Sequence, residues 1–257
     1  MDIQREFANG VCILKLNRPS VFNSFNREMA LALQKELDEC ELNDEVRAIV
    51  ITGEGKAFCA GQDLSEAVDP EGPELSTIVR EHYNPIIAKI RSIEKPIIAA
   101  VNGVAAGAGA NIALACDITI AKRSASFIQA FSKIGLIPDS GGTFFLPRIV
   151  GMQKALGLMM TGDKLMADDA EKLNLIYKVV EDEEFDQTIK VFAENLASLP
   201  TRGLGLTKKA VNSSFTNNLF SQLALEEELQ TEAGQTYDFR EGVNAFLEKR
   251  KPVFKGN

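Results

Sequence analysis

The chain has 257 residues, 45% of them apolar and 25% charged, enough for one globular unit with a large core and unlike a fibrous or disordered chain. Its 36 Asp and Glu against 28 Lys and Arg leave a net charge of −8, a poor balance for gripping nucleic acid or an anionic membrane surface. Four widely spaced cysteines, Cys12, Cys40, Cys59 and Cys116, form no paired redox or metal motif, and the sole histidine, His82, leaves little room for a multi-histidine metal site or a histidine-based triad.

In chain order, the acidic opening Met1-Asp2-Ile3-Gln4-Arg5-Glu6 has no apolar stretch behind a basic start, so no secretory signal is read and a reduced, cytoplasmic setting is expected. Val11 to Leu16 alternates apolar and polar, and predicts a strand. Asn26 predicts a cap for a helix whose Met29, Leu33 and Leu37 recur every fourth position. Short β-rich runs at Ala48 to Thr52 and Pro96 to Val101, bounded by Gly or Pro, predict two more strands. The stretch from Ile97 to Cys116 has the length of a membrane span, but Asn102, Asn111 and three glycines interrupt it, so strand, turn and buried helix fit better.

From Glu184 onward the patterning is helical, with stripes at Leu219, Leu223, Ala224 and at Val243, Phe246, Leu247. The expected architecture is α/β: parallel sheets coiled in a spiral of β-β-α units over residues 1–200, then a helical region over 201–257.

Two glycine-containing turns follow apolar strands. Gly53-Glu54-Gly55-Lys56-Ala57 lacks the spacing and the Ser or Thr of a phosphate-binding loop, and Gly107-Ala108-Gly109 has Ile112 where a dinucleotide fingerprint needs a third glycine. What marks them is their company: Lys56-Ala57-Phe58-Cys59-Ala60-Gly61-Gln62-Asp63-Leu64 at the first, and Val101-Asn102-Gly103-Val104-Ala105-Ala106-Gly107-Ala108-Gly109-Ala110-Asn111 at the second. Small residues let backbone N–H groups approach a ligand, and the second turn opens a helix whose N-terminus favours negative charge.

With these two stretches, and with Leu16-Asn17-Arg18-Pro19 near the start and Arg240-Glu241-Gly242 near the end, the chain resembles the crotonase superfamily of coenzyme A thioester enzymes over nearly its whole length. The resemblance implies a crotonase-like spiral carrying the acyl-CoA site and a C-terminal region for oligomerisation, as a homotrimer or homohexamer. It implies an oxyanion hole from the N–H groups of Ala60 and Ala108, coenzyme A contacts at Gln62, Asp63 and Leu64, and contacts at Phe246 and Lys249 to the adenosine phosphate end, made from a neighbouring subunit. No metal and no cofactor beyond the coenzyme A moiety of the substrate are implied.

Departures from the family pattern narrow the chemistry. Enoyl-CoA hydratases hold water between two glutamates, and this chain has Asn111 and Phe131 at those positions. One acid stands nearby, in Ile137-Pro138-Asp139-Ser140-Gly141-Gly142, where superfamily isomerases carry a working aspartate. Ile137, Pro138, Phe144 and Phe145 are expected to desolvate Asp139 and raise its pKa. The bland alternative is that Asp139 caps a helix beginning near Gly141.

Further motifs, Phe131-Ser132-Lys133-Ile134-Gly135-Leu136 and Tyr83-Asn84-Pro85, are similar to the ring-epoxide isomerases of phenylacetate degradation. That implies conversion of ring 1,2-epoxyphenylacetyl-CoA to oxepin-CoA, and a shift of 3-enoyl-CoA to 2-enoyl-CoA. The competing readings are a hydratase, an aryl-CoA dehalogenase with Asp139 as nucleophile and His82 as base, and a non-catalytic acyl-CoA-binding protein.

Overall fold

A computed structural model describes all 257 residues. Its strands in chain order are β1 (Ile3–Ala8), β2 (Val11–Leu16), β3 (Ala48–Gly53), β4 (Ala57–Cys59), β5 (Ile97–Val101), β6 (Val104–Ala106), β7 (Ile118–Lys122), β8 (Ser126–Ile128), β9 (Lys164–Met166) and β10 (Lys178–Val180). They form a six-stranded sheet in the order β1-β2-β3-β5-β7-β10 and a four-stranded sheet in the order β4-β6-β8-β9. The pairs β2–β3, β3–β5, β5–β7 and β7–β10 run parallel in the larger sheet, and β4–β6 and β6–β8 in the smaller. Each turn of the chain therefore lays one strand in the large sheet and the next in the small one, which is the coiled layering expected.

Both faces are covered at the middle of the large sheet, so β3 and β5 read as continuous apolar runs. In β3, Ile49 and Ile51 enter a core of 42 buried residues shared with the Arg27–Leu42 helix, while Ala48 and Val50 face the other way into an 11-residue cluster beneath the helix Phe185–Ala197. Asn26 caps the first of these helices by accepting the Met29 N–H at 3.0 Å. The apolar stretch from Ile97 to Cys116 resolves into β5, β6 and the fully buried helix Ala108–Ala115. No helix of the chain is long and apolar enough to cross a membrane.

The last helices, Thr201–Ser214, Leu219–Gly234 and Tyr237–Leu247, lie beyond the sheets. Lys208 ties the first of them to the spiral, reaching Asp117 Oδ2 at 2.8 Å and Ile90 O at 2.6 Å. The final segment is fastened by Asp238, whose two carboxylate oxygens accept the N–H groups of Lys255 at 2.6 Å and Gly256 at 2.8 Å.

Candidate active site

The spiral brings the two turns into contact, and glycines set how close they come. A Cβ on Gly109 would lie 2.4 Å from Cys59 O, and one on Gly61 would lie 3.0 Å from Ala106 O and 3.4 Å from Ala108 N. Only a residue without a side chain permits this approach of backbone to backbone. Gly107, at φ +53, turns the chain from β6 into the helix Ala108–Ala115. Ala108 begins that helix, so its N–H has no acceptor one turn back and is open to an anion.

The first turn departs from expectation. Ala60 N–H already donates to Phe22 O at 3.0 Å, and so is engaged inside the fold. Phe25 N–H donates to Gly61 O at 2.7 Å and Asp63 N–H donates to Phe25 O at 2.8 Å, a parallel bridge centred on Phe25 and Gln62. In such a bridge the N–H of the central residue points to the opposite edge. For Gln62 that is the edge on which β4 meets β6 and Gly61 meets Ala108. The free donor of this turn is therefore Gln62 N–H, two residues beyond Ala60.

Gln62 is also held through its side chain. Its Oε1 accepts from Tyr83 Oη at 2.8 Å and its Nε2 donates to Glu66 Oε2 at 2.8 Å. Tyr83 is 1% exposed and packs edge-on against Phe25, with ring centroids 5.9 Å apart. Burial pushes its phenol well above the usual range, and Cys59 and Asp139 add to the effect. In the sequence Tyr83 stood out only as part of the motif Tyr83-Asn84-Pro85, with no role in the site. Its place in the site depends on the helical segment Ile78–Tyr83, whose wide i to i+5 turn no sequence motif announced.

Asp139 is half-buried, and desolvation raises its carboxyl above the usual range, opposed by Ser140 Oγ, which donates to Oδ1 at 2.9 Å. It does not cap the following helix. That helix runs Gly142–Val150 behind Gly141, with no side-chain cap, and only the main-chain carbonyl of Asp139 receives the Gly142 N–H, at 2.8 Å. Ile137 is 80% exposed and cannot be what shields the carboxyl within this chain. Phe144 stacks on Arg148 and Phe215 instead, and Phe145 lies beneath Gly141.

Where two glutamates would activate water, the structure has other uses for the side chains. Phe131 is buried, with its ring edge 3.9 Å from the position of a Cβ on Gly107. Asn111 is fully buried and held at both ends of its amide: its Nδ2 donates to Asp139 O and its Oδ1 accepts from Gln129 Nε2, both at 2.8 Å.

The remaining expected residues separate into three groups. Asp63 accepts Ser65 N–H at 3.1 Å and Ser65 Oγ at 2.6 Å and pairs with Arg18 at 2.9 Å, so the Ser65 bonds, with the Arg18 ion pair, lower its pKa and make it the cap of the short helix Leu64–Ala67. Leu64 is half exposed at the rim. Phe246 and Lys249 sit at the end of the helix Tyr237–Leu247, which packs on Leu219–Gly234, and Phe246 is 83% exposed; one chain does not bring them to Asp139. His82 is fully buried with Nε2 3.3 Å from Arg27 Nη1, and Glu66, Arg27 and Glu81 are the charges that act on it. Asp139 is not among these partners, so nothing ties His82 to it as the base that the dehalogenase reading needs.

Known proteins resemble the chain over nearly its full length. Residues 6–257 match the family model described as enoyl-CoA hydratase/isomerase. The chain is 51% identical over 250 residues to the 1,2-epoxyphenylacetyl-CoA isomerase of Escherichia coli (strain K12), covering 96% of this chain and 95% of that protein. It is 37% identical to a short-chain-enoyl-CoA hydratase of Clostridium acetobutylicum, covering 94% of this chain and 92% of that one. Among solved structures, an enoyl-CoA hydratase from Bacillus anthracis superposes with a TM-score of 0.93 at 32% identity, over 100% of both chains. The chain belongs to the enoyl-CoA hydratase/isomerase family and has the crotonase fold.

Proposed function

We propose that the protein is an acyl-CoA isomerase with Asp139 as its only acid–base group and the N–H groups of Gln62 and Ala108 as its oxyanion hole. The observation that carries this is the pairing of a desolvated Asp139 with Asn111, an amide that is neither acid nor base and is tied to Asp139 O and Gln129 where a hydratase would carry a glutamate. With a 3-enoyl-CoA, the Asp139 carboxylate takes the α-proton, and the electron pair of that C–H bond moves toward the thioester oxygen. The two N–H groups stabilise the resulting dienolate. The acid form of Asp139 then protonates the γ-carbon, the electrons return, and the double bond lies between the α- and β-carbons.

The relative that isomerises 1,2-epoxyphenylacetyl-CoA supports ring-epoxide opening to the oxepin thioester as the physiological use of the same hole. Phe246 and Lys249, exposed on their helix, would reach the coenzyme A of a neighbouring subunit in a trimer or a pair of trimers, in the cytoplasm.

The decisive measurement is 3- to 2-enoyl-CoA turnover of Asp139→Asn. Rate should fall by about 10²–10⁴-fold with thioester affinity nearly unchanged, because shape is kept and basicity is lost. Near-normal turnover would identify another base. Crotonyl-CoA hydration by the unaltered protein should be far slower than isomerisation, and comparable rates would favour a hydratase instead.

A further inference from the structure

We infer that Asn111 is a positioning residue that aims Asp139 through the main chain, an inference resting on the reading of Asp139 as the proton carrier. The bond directions follow from chemistry. Asp139 O can only accept, so Asn111 must turn its Nδ2 toward it; its Oδ1 then faces Gln129, which must offer Nε2. Gly142 leaves the space for this amide, since a Cβ there would stand 2.3 Å from Asn111 Nδ2 and 2.7 Å from its Cγ. The Gly142 N–H, at 2.8 Å, is a second donor on the same carbonyl.

Two donors thus pin the carbonyl just before Ser140 at φ +50 and Gly141 at φ +74. A non-glycine residue in this region is costly unless its surroundings hold it. With the Asp139 peptide fixed on one side and this turn on the other, the Cα–Cβ direction of Asp139 is set, and the carboxyl returns to the same place at each turnover. Asn111 sits on the buried helix Ala108–Ala115, whose first residue supplies the proposed oxyanion donor. The tether of the base and one of the two proposed oxyanion donors are therefore mounted on one helix.

The test compares Asn111→Asp and Gln129→Leu with the unaltered enzyme, using a 3-enoyl-CoA in heavy water and reading kcat, the affinity for an unreactive thioester, and deuterium incorporated per product molecule. Asn111→Asp keeps the volume but sets an acceptor against Asp139 O. Its kcat should fall by roughly 10²-fold, the effect of about an ångström of misplacement, with affinity little changed. Deuterium per product should rise, because a loosely held acid exchanges its proton with solvent before delivering it. Gln129→Leu, which removes the next link, should move both readings the same way by less.

A merely structural defect lowers the active fraction and leaves deuterium per product where it was. Unchanged kcat, or a lower kcat with unchanged deuterium, in both variants would overturn the strut while leaving the assignment of Asp139 intact. Turnover surviving in Asp139→Asn would overturn both.

Discussion

The spiral and the C-terminal helices are finished to different degrees. The spiral holds a 42-residue buried cluster in which most members are fully shielded. The helix Leu219–Gly234 buries one residue, Leu229, and Tyr237–Leu247 buries Asp238, Glu241 and Ala245, two of them acids that fasten the tail and Arg250. Leu219, Phe220, Phe246 and Leu247 are between 68% and 83% exposed, and so are Met152 at 64% and Met160 at 70% on the spiral's edge. Exposed apolar side chains in such number suit association. The difference teaches that one chain completes the core around the two turns, while the later helices leave apolar side chains uncovered, which the proposed trimer would cover.

The sharpest way to break this contrast is inside the spiral. Gly109→Ala puts a methyl group 2.4 Å from Cys59 O, backbone against helix, with no flexible side chain to yield. Unfolding by urea should show a loss of about 1–3 kcal/mol or more, with activity lost as the turns separate. Full stability and activity in this variant would mean that the two turns are not tightly docked.

A change of similar chemistry in the helical region should behave in the opposite manner. Phe220→Ser removes an apolar side chain that is 83% exposed, so the unfolding free energy of one chain should stay within about 0.5 kcal/mol. Light scattering at micromolar concentration should show smaller species. A large loss of single-chain stability would place Phe220 in a core that the structure does not show.

The smallest expected effect joins stability to function. Burial raises the Asp139 pKa, so folding favours its protonated form. That relief is complete below the unfolded pKa and is lost as pH rises through the folded one. At neutral pH the ionised group opposes folding, and Asp139→Asn should raise Tm slightly there and leave it unchanged in acid below the ordinary carboxylate range. An inactive variant that is also less stable at neutral pH would contradict the desolvated environment. In the active enzyme the same shift should move the acid limb of the kcat/KM profile above the usual carboxylate range.

The strands β2, β3 and β5 and the two turns were legible because glycine spacing and apolar runs are local signals, whereas the three-residue strands of the smaller sheet are too short to carry a pattern. The absence of both water-activating glutamates was legible as well, since Asn111 and Phe131 stand at positions the flanking motif defines. What could not be read was which N–H is free. Ala60 and Gln62 differ only because Phe22 and Phe25, nearly forty residues earlier, accept from the first and bridge around the second. Nor could sequence show that Asp139 is buried without help from Ile137, which points outward. The β1 strand was also missed: five of its six residues are exposed or partly so, and antiparallel pairing with β2 rather than an apolar pattern defines it.

All four thiols are buried, none more than 6% exposed. Burial pushes Cys59 and Cys116 up to about 12, so these two carry almost no thiolate at neutral pH and offer an alkylating reagent no nucleophile while the fold is closed. Cys59 lies at the contact between the two turns. The rate at which a thiol reagent reaches Cys59 in the native protein is thus a clock for separation of those turns, set by a side chain already present and requiring no added label.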